Sequence, residues 1–560
     1  MAARHPHVTA AERYARDVAA GRIAACKWIR LACERHRADR KCEKQKRFLF
    51  RFDKDKAQRA CEFIELLSHT KGRWAAKGLL LMLEPWQCFF VCSVFGWLRK
   101  ADELRRFRKV LLLVPRKNGK SQVAAAIGLY MLAADGEHGA EVYSGATTEK
   151  QAWEVFRPAR LMALKAEEFR NHFGVEVNAS NISILATDSR FEPIIGNPGD
   201  GPSPSCAIVD EFHEHATDEL FDTMETGQGA REQPLMLVIT TAGSNMSGPC
   251  YALQLEAQKM LEGVRANDAM FALIYTVDQE DDWTRVNTLK KANPNFDVSI
   301  SAEFLISRQR EAIDNARKQG TFKTKHLNMW VGARDAYFNV RKWQECQDPG
   351  LRIEDFEGEA CKLGMDLASK VDIAALEILF PRDDGSYARF GKYYLPEATV
   401  EAGENEHYRG WARDGWLTVT DGDMIDHRVI RDDILALRDR FNITELAFDP
   451  DNATMLVRDL MDEGISCIEV RPTLPNFSDP MKTLDGLIRS KRIVHNGDPV
   501  MTWAISNVVT RPDAGERVYP RKERPENKID PVVALIMALA RAIQGEMAEP
   551  SVYETPGFFI

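Results

Sequence analysis

Between residues 109 and 243, short apolar runs alternate with stretches of helical periodicity, and this alternation narrows the fold more than any other property of the chain. The runs are "KVLLLVP" (109–115), "AEVYSGA" (140–146), "SCAIVDE" (205–211) and "LMLVITTAG" (235–243). Runs that are apolar on both faces belong inside a parallel sheet, and parallel strands need crossover helices to join them. An α/β fold follows. At 560 residues the chain exceeds what one hydrophobic core serves, so a second domain is expected. The sequence divides into a helical N-terminal region (1–70), a first α/β domain (71–330) that turns helical again as a lid over about 250–330, and a connection of mixed Gly, Pro and charge (331–358). A second α/β domain (359–546) and a tail (547–560), expected to be loosely ordered, complete the chain.

Composition excludes several classes. The net charge of −8 rules out a surface coated in basic residues but leaves room for local basic channels. "CFFVCSVFGWL" (88–98) is too short to cross a bilayer and reads as a core helix, and the charged N-terminus has no signal-peptide apolar segment, so neither membrane insertion nor export is expected. Eleven cysteines without a C-x-x-C pair predict reduced, buried thiols rather than a zinc site.

The run at 109–115 leads into "RKNGKS" and then a small-residue helix. That is the layout of a phosphate-binding loop, with Val114 where the usual pattern has its first glycine. Arg116, Lys117, Asn118, Gly119, Lys120 and Ser121 form the expected nucleotide cradle. Lys120 would reach the β/γ-phosphates, Ser121 would ligate Mg²⁺, and the helix N-terminus would offer backbone N–H groups to the anion. "SCAIVDE" delivers Asp210 and Glu211 at a strand end, where one acid can hold Mg²⁺ through water and the other can orient or deprotonate the attacking water. Thr240, Thr241 and Gly243 end the next run and are candidates for sensing the γ-phosphate. Gln87 in "EPWQ" could read an adenine edge with its paired donor and acceptor.

The second domain carries Asp366 in "LGMDLASKVDIAAL", Asp449 in "ELAFDPDN" and Asp530 in "ENKIDPVVALIMAL". Each acid alone reads as a strand end or helix cap. Converging, they would make an all-oxygen site for two Mg²⁺ or Mn²⁺ ions. Asp372 and Asp451 would be decoys or outer helpers if such a site forms, His495 is an outer helper or a solvated loop residue, and the basic clusters at 105–109, 489–492 and 519–528 are solvated faces or phosphate contacts.

Taken in order, "EPWQ", "VPRKNGKS", "YSGATTEKQ", "AIVDE" and "ITTAG", preceded by "YARDVAAGRIAACKWIRLACERH", resemble the ATPase half of the large terminase subunits that package DNA in tailed bacteriophages. The resemblance extends from about residue 10 to 545 and includes "RIVHNGDPVMTWAISNVV" (492–509). It implies a RecA/ASCE-like P-loop ATPase domain followed by an RNase H-like nuclease domain. Arg116 becomes an in-chain arginine finger or phosphate sensor, which accounts for the loop without its first glycine. Asp366, Asp449 and Asp530 become the nuclease acids. The resemblance further implies ATP-driven translocation of double-stranded DNA into a procapsid and cutting of concatemers. Its partners would be a portal protein, a small terminase subunit and further copies of the chain in a five-membered ring. The place of work would be the host cytoplasm, docked on the procapsid and absent from the mature virion. The alternatives are a helicase-like translocase or an ATP-gated DNA clamp with a non-catalytic second domain. The clamp has no need of Glu211, and the convergence of the three acids separates the translocase.

Overall fold

The computed structural model describes residues 4–546 except 197, 198, 200, 247, 332–335, 369–371, 403, 404, 452, 511–516 and 524. The expected tail and part of the expected connection therefore lie outside the described residues. The chain forms two compact units, Met1–Glu311 with Phe322–Trp330, and Ala312–Thr321 with Val331–Ile560.

In the first unit the four apolar runs become strands Lys109–Leu113, Glu141–Ala146, Cys206–Asp210 and Leu235–Thr240. They lie in an eight-stranded sheet ordered Met270–Ile274, Lys109–Leu113, Leu235–Thr240, Cys206–Asp210, Glu141–Ala146, Ser189–Ile195, Ile182–Ile184, Val175–Val177. The first six are parallel and the last two join antiparallel. The sheet thus places Leu235–Thr240 between the phosphate-loop strand and the strand carrying Asp210, so the ends of all three strands face one site. Met270–Ile274 corrects the reading of 250–330 as wholly helical. It is a five-residue apolar run, and periodicity alone cannot tell so short a run from part of a buried helix.

Helices Pro6–Ala19, Lys27–Cys42, Lys54–Glu65 and Pro85–Gly96 share one continuous core with this sheet. Arg105 and Arg106 of the basic cluster at 105–109 are buried in that core and do not face solvent. Arg105 pairs with Asp135 at 2.5 Å, and Arg106 bonds Asp39 at 2.7 Å while stacking 4.0 Å over the Phe50 ring. They are structural charges, each neutralised as burial requires. All eleven cysteines are free and nearly all are buried.

In the second unit Ala360–Asp366, Ala374–Pro381 and Tyr387–Pro396 form an antiparallel trio. Asn442–Phe448 joins Ala360–Asp366 in parallel, followed by Cys467–Glu469. Thr418–Thr420 and Ile493–His495 pair alongside Tyr387–Pro396. Apolar clusters cover the sheet, and Phe338 and Trp343, from the stretch read as a connection, are buried in one of them. Helix Asp530–Glu546 lies directly on strand Ala360–Asp366. A Cβ at Gly364 would stand 2.0 Å from the Ala534 carbonyl oxygen, so only glycine permits this approach.

Candidate functional sites and family membership

The phosphate loop leaves strand Lys109–Leu113 and enters helix Lys120–Ala133 through Gly119, whose φ of 85° lies in the left-handed region. Lys117 (φ 70°) and Glu211 (φ 50°) also adopt this conformation without being glycine. Such backbone strain persists where the surroundings over-determine it. Asn118, fully buried, supplies that constraint under the loop. Its amide donates to Pro115 O at 3.1 Å and to Asn293 Oδ1 at 2.9 Å, and its Oδ1 accepts the Asn295 N–H at 2.9 Å. Ser299 Oγ donates to the Lys117 carbonyl at 2.5 Å, and Trp86 Nε1 donates to Asn295 Oδ1 at 2.6 Å. The segment "ANPNFD" (292–297) is therefore a brace beneath the loop, while the Val114 N–H donates to the Thr240 carbonyl at 3.1 Å.

Lys120 Nζ lies 3.2 Å from Asp210 Oδ1 and 2.6 Å from Glu211 Oε1. Burial would lower the Lys120 ammonium, but the two facing carboxylates hold it above its ordinary value. Burial raises the Asp210 carboxyl despite the lysine. Glu211 is also opposed by burial, yet Lys120 and His213 outweigh it and hold it down at about 2. Arg116 is exposed while its backbone N–H is fixed to the Lys325 carbonyl at 3.0 Å. Ser121 is half-buried in the first helical turn.

Thr240 and Thr241 are fully buried, and both approach His213. A cleft of about 410 Å³ opens beside Gly119, lined among others by His69, Trp74, Gln87, Gln122 and Asn295. Gln87 is at its wall, but its Oε1 already accepts the Glu84 N–H at 2.9 Å. Its amide nitrogen is the end directed at the loop, 3.3 Å from where a Gly119 Cβ would be. One lone pair of Oε1 is thereby engaged at the helix N-terminus, and the amide donor stays directed at the loop.

In the second unit, Asp366 ends the strand Ala360–Asp366, and Asp449 follows directly after Asn442–Phe448, its parallel neighbour. The two acids therefore leave the same edge of the sheet, and Asp530 opens the helix packed across that strand. Burial and the charges of Asp530, Asp449 and Asp372 push Asp366 well above the usual carboxylate range. Burial and Asp372 raise Asp530 to about 6, and its Oδ2 is buried without a hydrogen-bond partner among the described residues. Mutually repelling acids with an orphaned oxygen are a donor set that suits hard divalent cations. As they stand, no three such side chains among the described residues are close enough to hold an ion.

Asp372 pairs with Lys528 at 2.5 Å and Lys522 at 3.5 Å, so the basic stretch at 519–528 adjoins the acids. His495 is not an outer helper of these acids: it is buried, stacked on Trp343 at 4.2 Å, and donates Nε2–H to the Trp343 carbonyl.

The terminase large-subunit endonuclease-domain family matches residues 264–546, about half of the chain. The terminase large-subunit ATPase-domain family matches residues 85–259. The chain belongs to the large terminase family.

This large terminase is 48% identical over 358 residues to protein YmfN of Escherichia coli strain K12, covering 62% of the chain and 79% of that protein. It is 24% identical over 483 residues to the large terminase subunit of Enterobacteria phage HK97, covering 84% and 92%. The crystal structure of the HK97 large terminase aligns at 24% identity over 87% of this chain and 99% of that one, with a TM-score of 0.43. Large terminases combine a nucleotide-driven DNA-packaging ATPase with a nuclease that cuts concatemers, and this chain has both domains, a RecA-like ATPase followed by an RNase H-like nuclease. A translocase or clamp with a non-catalytic second domain is set aside by the endonuclease match. No described helix of this terminase is long and apolar enough to cross a membrane.

Sequence reasoning missed Asn293, Asn295, His213 and Lys325. His213 carries a signal, two residues past Glu211; the other three have none, because they meet the loop only through the fold.

Proposed function

We propose that ATP is the nucleotide of this terminase and that Glu211 is its hydrolytic residue. The observation that carries this is Lys120 bridging Asp210 and Glu211 at the mouth of a strained phosphate loop. A triphosphate competes with both carboxylates for the Lys120 ammonium. Once the lysine turns to the phosphates, Glu211 loses its strongest cation and becomes the more basic partner for a water. Arg116, exposed beside the loop, reaches the γ-phosphate as finger or sensor, and Thr240, Thr241 and Gly243 report its loss. Gln87 and the cleft beside Gly119 take the base. Mg²⁺ held through Ser121 and Asp210 would neutralise the developing phosphate charge.

In the second unit Asp366, Asp449 and Asp530 act as ligands for Mg²⁺ or Mn²⁺, and bound ions would acidify a water and stabilise the leaving 3′-oxygen. Lys522 and Lys528, held by Asp372, adjoin this site and suit the DNA backbone. The partners are double-stranded DNA, the portal protein, a small terminase subunit and a ring of five copies, working on the procapsid in the host cytoplasm.

Glu211→Gln is expected to cut ATP turnover by about a hundredfold or more while retaining ATP binding; turnover at the wild-type rate would sink the assignment. Asp366→Ala is expected to abolish plasmid cleavage in Mg²⁺ or Mn²⁺. Equal cutting by the variant and the wild type would remove the acids from the chemistry.

A further inference from the structure

Asn507 is the last residue of helix Pro499–Asn507 and has no exposed surface. Its Nδ2–H donates to the Lys528 carbonyl at 3.0 Å, whereas its Oδ1 is buried without a hydrogen-bond partner among the described residues. Ala504, Ile505 and Val508, its neighbours in sequence, are fully buried. An amide half-satisfied among apolar side chains is a cost that a leucine, with the same branched outline, would remove. The bond that the side chain does make ends two residues before Asp530.

Both ends of this helix are fixed. At its start Asp498 Oδ1 accepts the Val500 and Met501 N–H groups at 2.9 and 3.0 Å, and Asp498 Oδ2 accepts from Arg389 at 2.8 Å. Arg389, fully buried, also donates to Glu377 Oε1 at 2.7 Å and Oε2 at 3.0 Å. Removing any of these partners would strand a buried charge, which holds the arrangement in place. Glu377 and Arg389 stand on strands Ala374–Pro381 and Tyr387–Pro396, so the helix N-terminus is tied to the sheet that carries Asp366. At the other end Asn507 holds Lys528 by its carbonyl, while the Lys528 ammonium pairs with Asp372 at 2.5 Å. Lys528 is thus gripped by backbone and side chain alike, just ahead of the residue that opens helix Asp530–Glu546.

We propose that Asn507 is a positioning residue of the nuclease: through the Lys528 carbonyl it sets where Asp530 stands relative to Asp366 and Asp449, and so how readily the three acids take up a divalent ion. The inference rests on the reading of these acids as metal ligands. Asn507 is buried away from ion and DNA. It acts as outer hydrogen-bond partners of metal ligands do, whose loss weakens metal affinity or activity about 10–100-fold.

The test uses Mn²⁺ alone on the full chain without nucleotide, with free Mn²⁺ read by electron paramagnetic resonance and plasmid cleavage followed across Mn²⁺ concentration. Asp366→Ala supplies the baseline, and the Mn²⁺ it fails to bind is the nuclease share. Asn507→Leu is expected to weaken the affinity of that share about tenfold and to raise the Mn²⁺ concentration for half-maximal cutting by a similar factor. At saturating Mn²⁺ its cutting rate should stay within about threefold of wild type. Asn507→Ser, small, polar and too short to reach the carbonyl, should show the same shift and carries the test if the leucine variant does not fold. A purely structural asparagine would lower the melting temperature and leave the Mn²⁺ midpoint where it is. That result, or a fall in maximal rate at an unchanged midpoint, would overturn the inference. Asp366→Ala separates the two ideas. If it binds as much Mn²⁺ as the wild type, the metal-ligand reading fails and the role of Asn507 goes with it; if it binds less while Asn507→Leu matches the wild type, only the positioning role fails.

Discussion

At the residue scale, a buried histidine marks how the second unit responds to acid. His495 donates through Nε2 to Trp343 O at 2.8 Å and accepts the Gly497 N–H through Nδ1 at 3.2 Å, so both nitrogens are committed to the neutral form. Burial lowers it from 6.5 to about 4. The folded state therefore refuses a proton that the unfolded chain accepts, and stability is full above pH ~6.5 and lost as pH falls towards ~4, at up to ~1.4 kcal/mol per pH unit. Thermal melting of the second unit between pH 7 and 5 should show this slope, and His495→Phe, which keeps the stack on Trp343, should flatten it. An unchanged slope would place the acid sensitivity elsewhere. Lys120, Asp210 and Glu211 were legible as residues because they lie in contiguous patterns. His495 was not, since nothing in "RIVHNGD" announces that Trp343 closes over the ring.

Among elements, the packing of helix Asp530–Glu546 on strand Ala360–Asp366 decides where two of the three acids stand. The helix comes so near because Gly364 offers no side chain, and Ala534 O occupies the space a Cβ would need. Gly364→Ala must separate the helix from the strand or distort both, an overpacking that costs about 1–3 kcal/mol. Denaturant unfolding should register that loss, and plasmid cleavage should fall as well, because Asp530 moves with its helix. A variant with normal stability and cleavage would show that the close approach is dispensable. The sequence made strands and acids legible here, since apolar runs ending in Asp have few other uses. It did not show that Gly364, two residues before Asp366 on the strand, sets the spacing, because that requirement belongs to the facing helix. Strand Met270–Ile274 was missed for the converse reason. Helical stretches flank it on both sides, and only its partner Lys109–Leu113 makes it a strand.

For the whole molecule, the recognisable motifs of the ATPase lie between Gln87 and Gly243, whereas the groups that hold them in shape lie later in the chain. Asn293 and Asn295 brace the loop, Asn328 Oδ1 accepts the Ala242 N–H at 2.7 Å, and Lys325 fixes the Arg116 backbone. A fragment ending at residue 259 would contain each motif and none of these supports. It is expected to bind ATP at least about tenfold more weakly than the full chain, the loss of roughly 1.4 kcal/mol that a single missing buried hydrogen bond can produce. Equal affinity, read by calorimetry, would show that the loop shapes itself. The order of residues has a further consequence during synthesis. Once Gly243 has left the exit tunnel of the ribosome, the nascent chain carries the complete set of ATPase motifs. That nascent chain has no braced loop until Asn293, Lys325 and Asn328 have also left the exit tunnel. The supports of the loop are thus the last parts of the first unit to be made, and the loop has them only when that unit is complete.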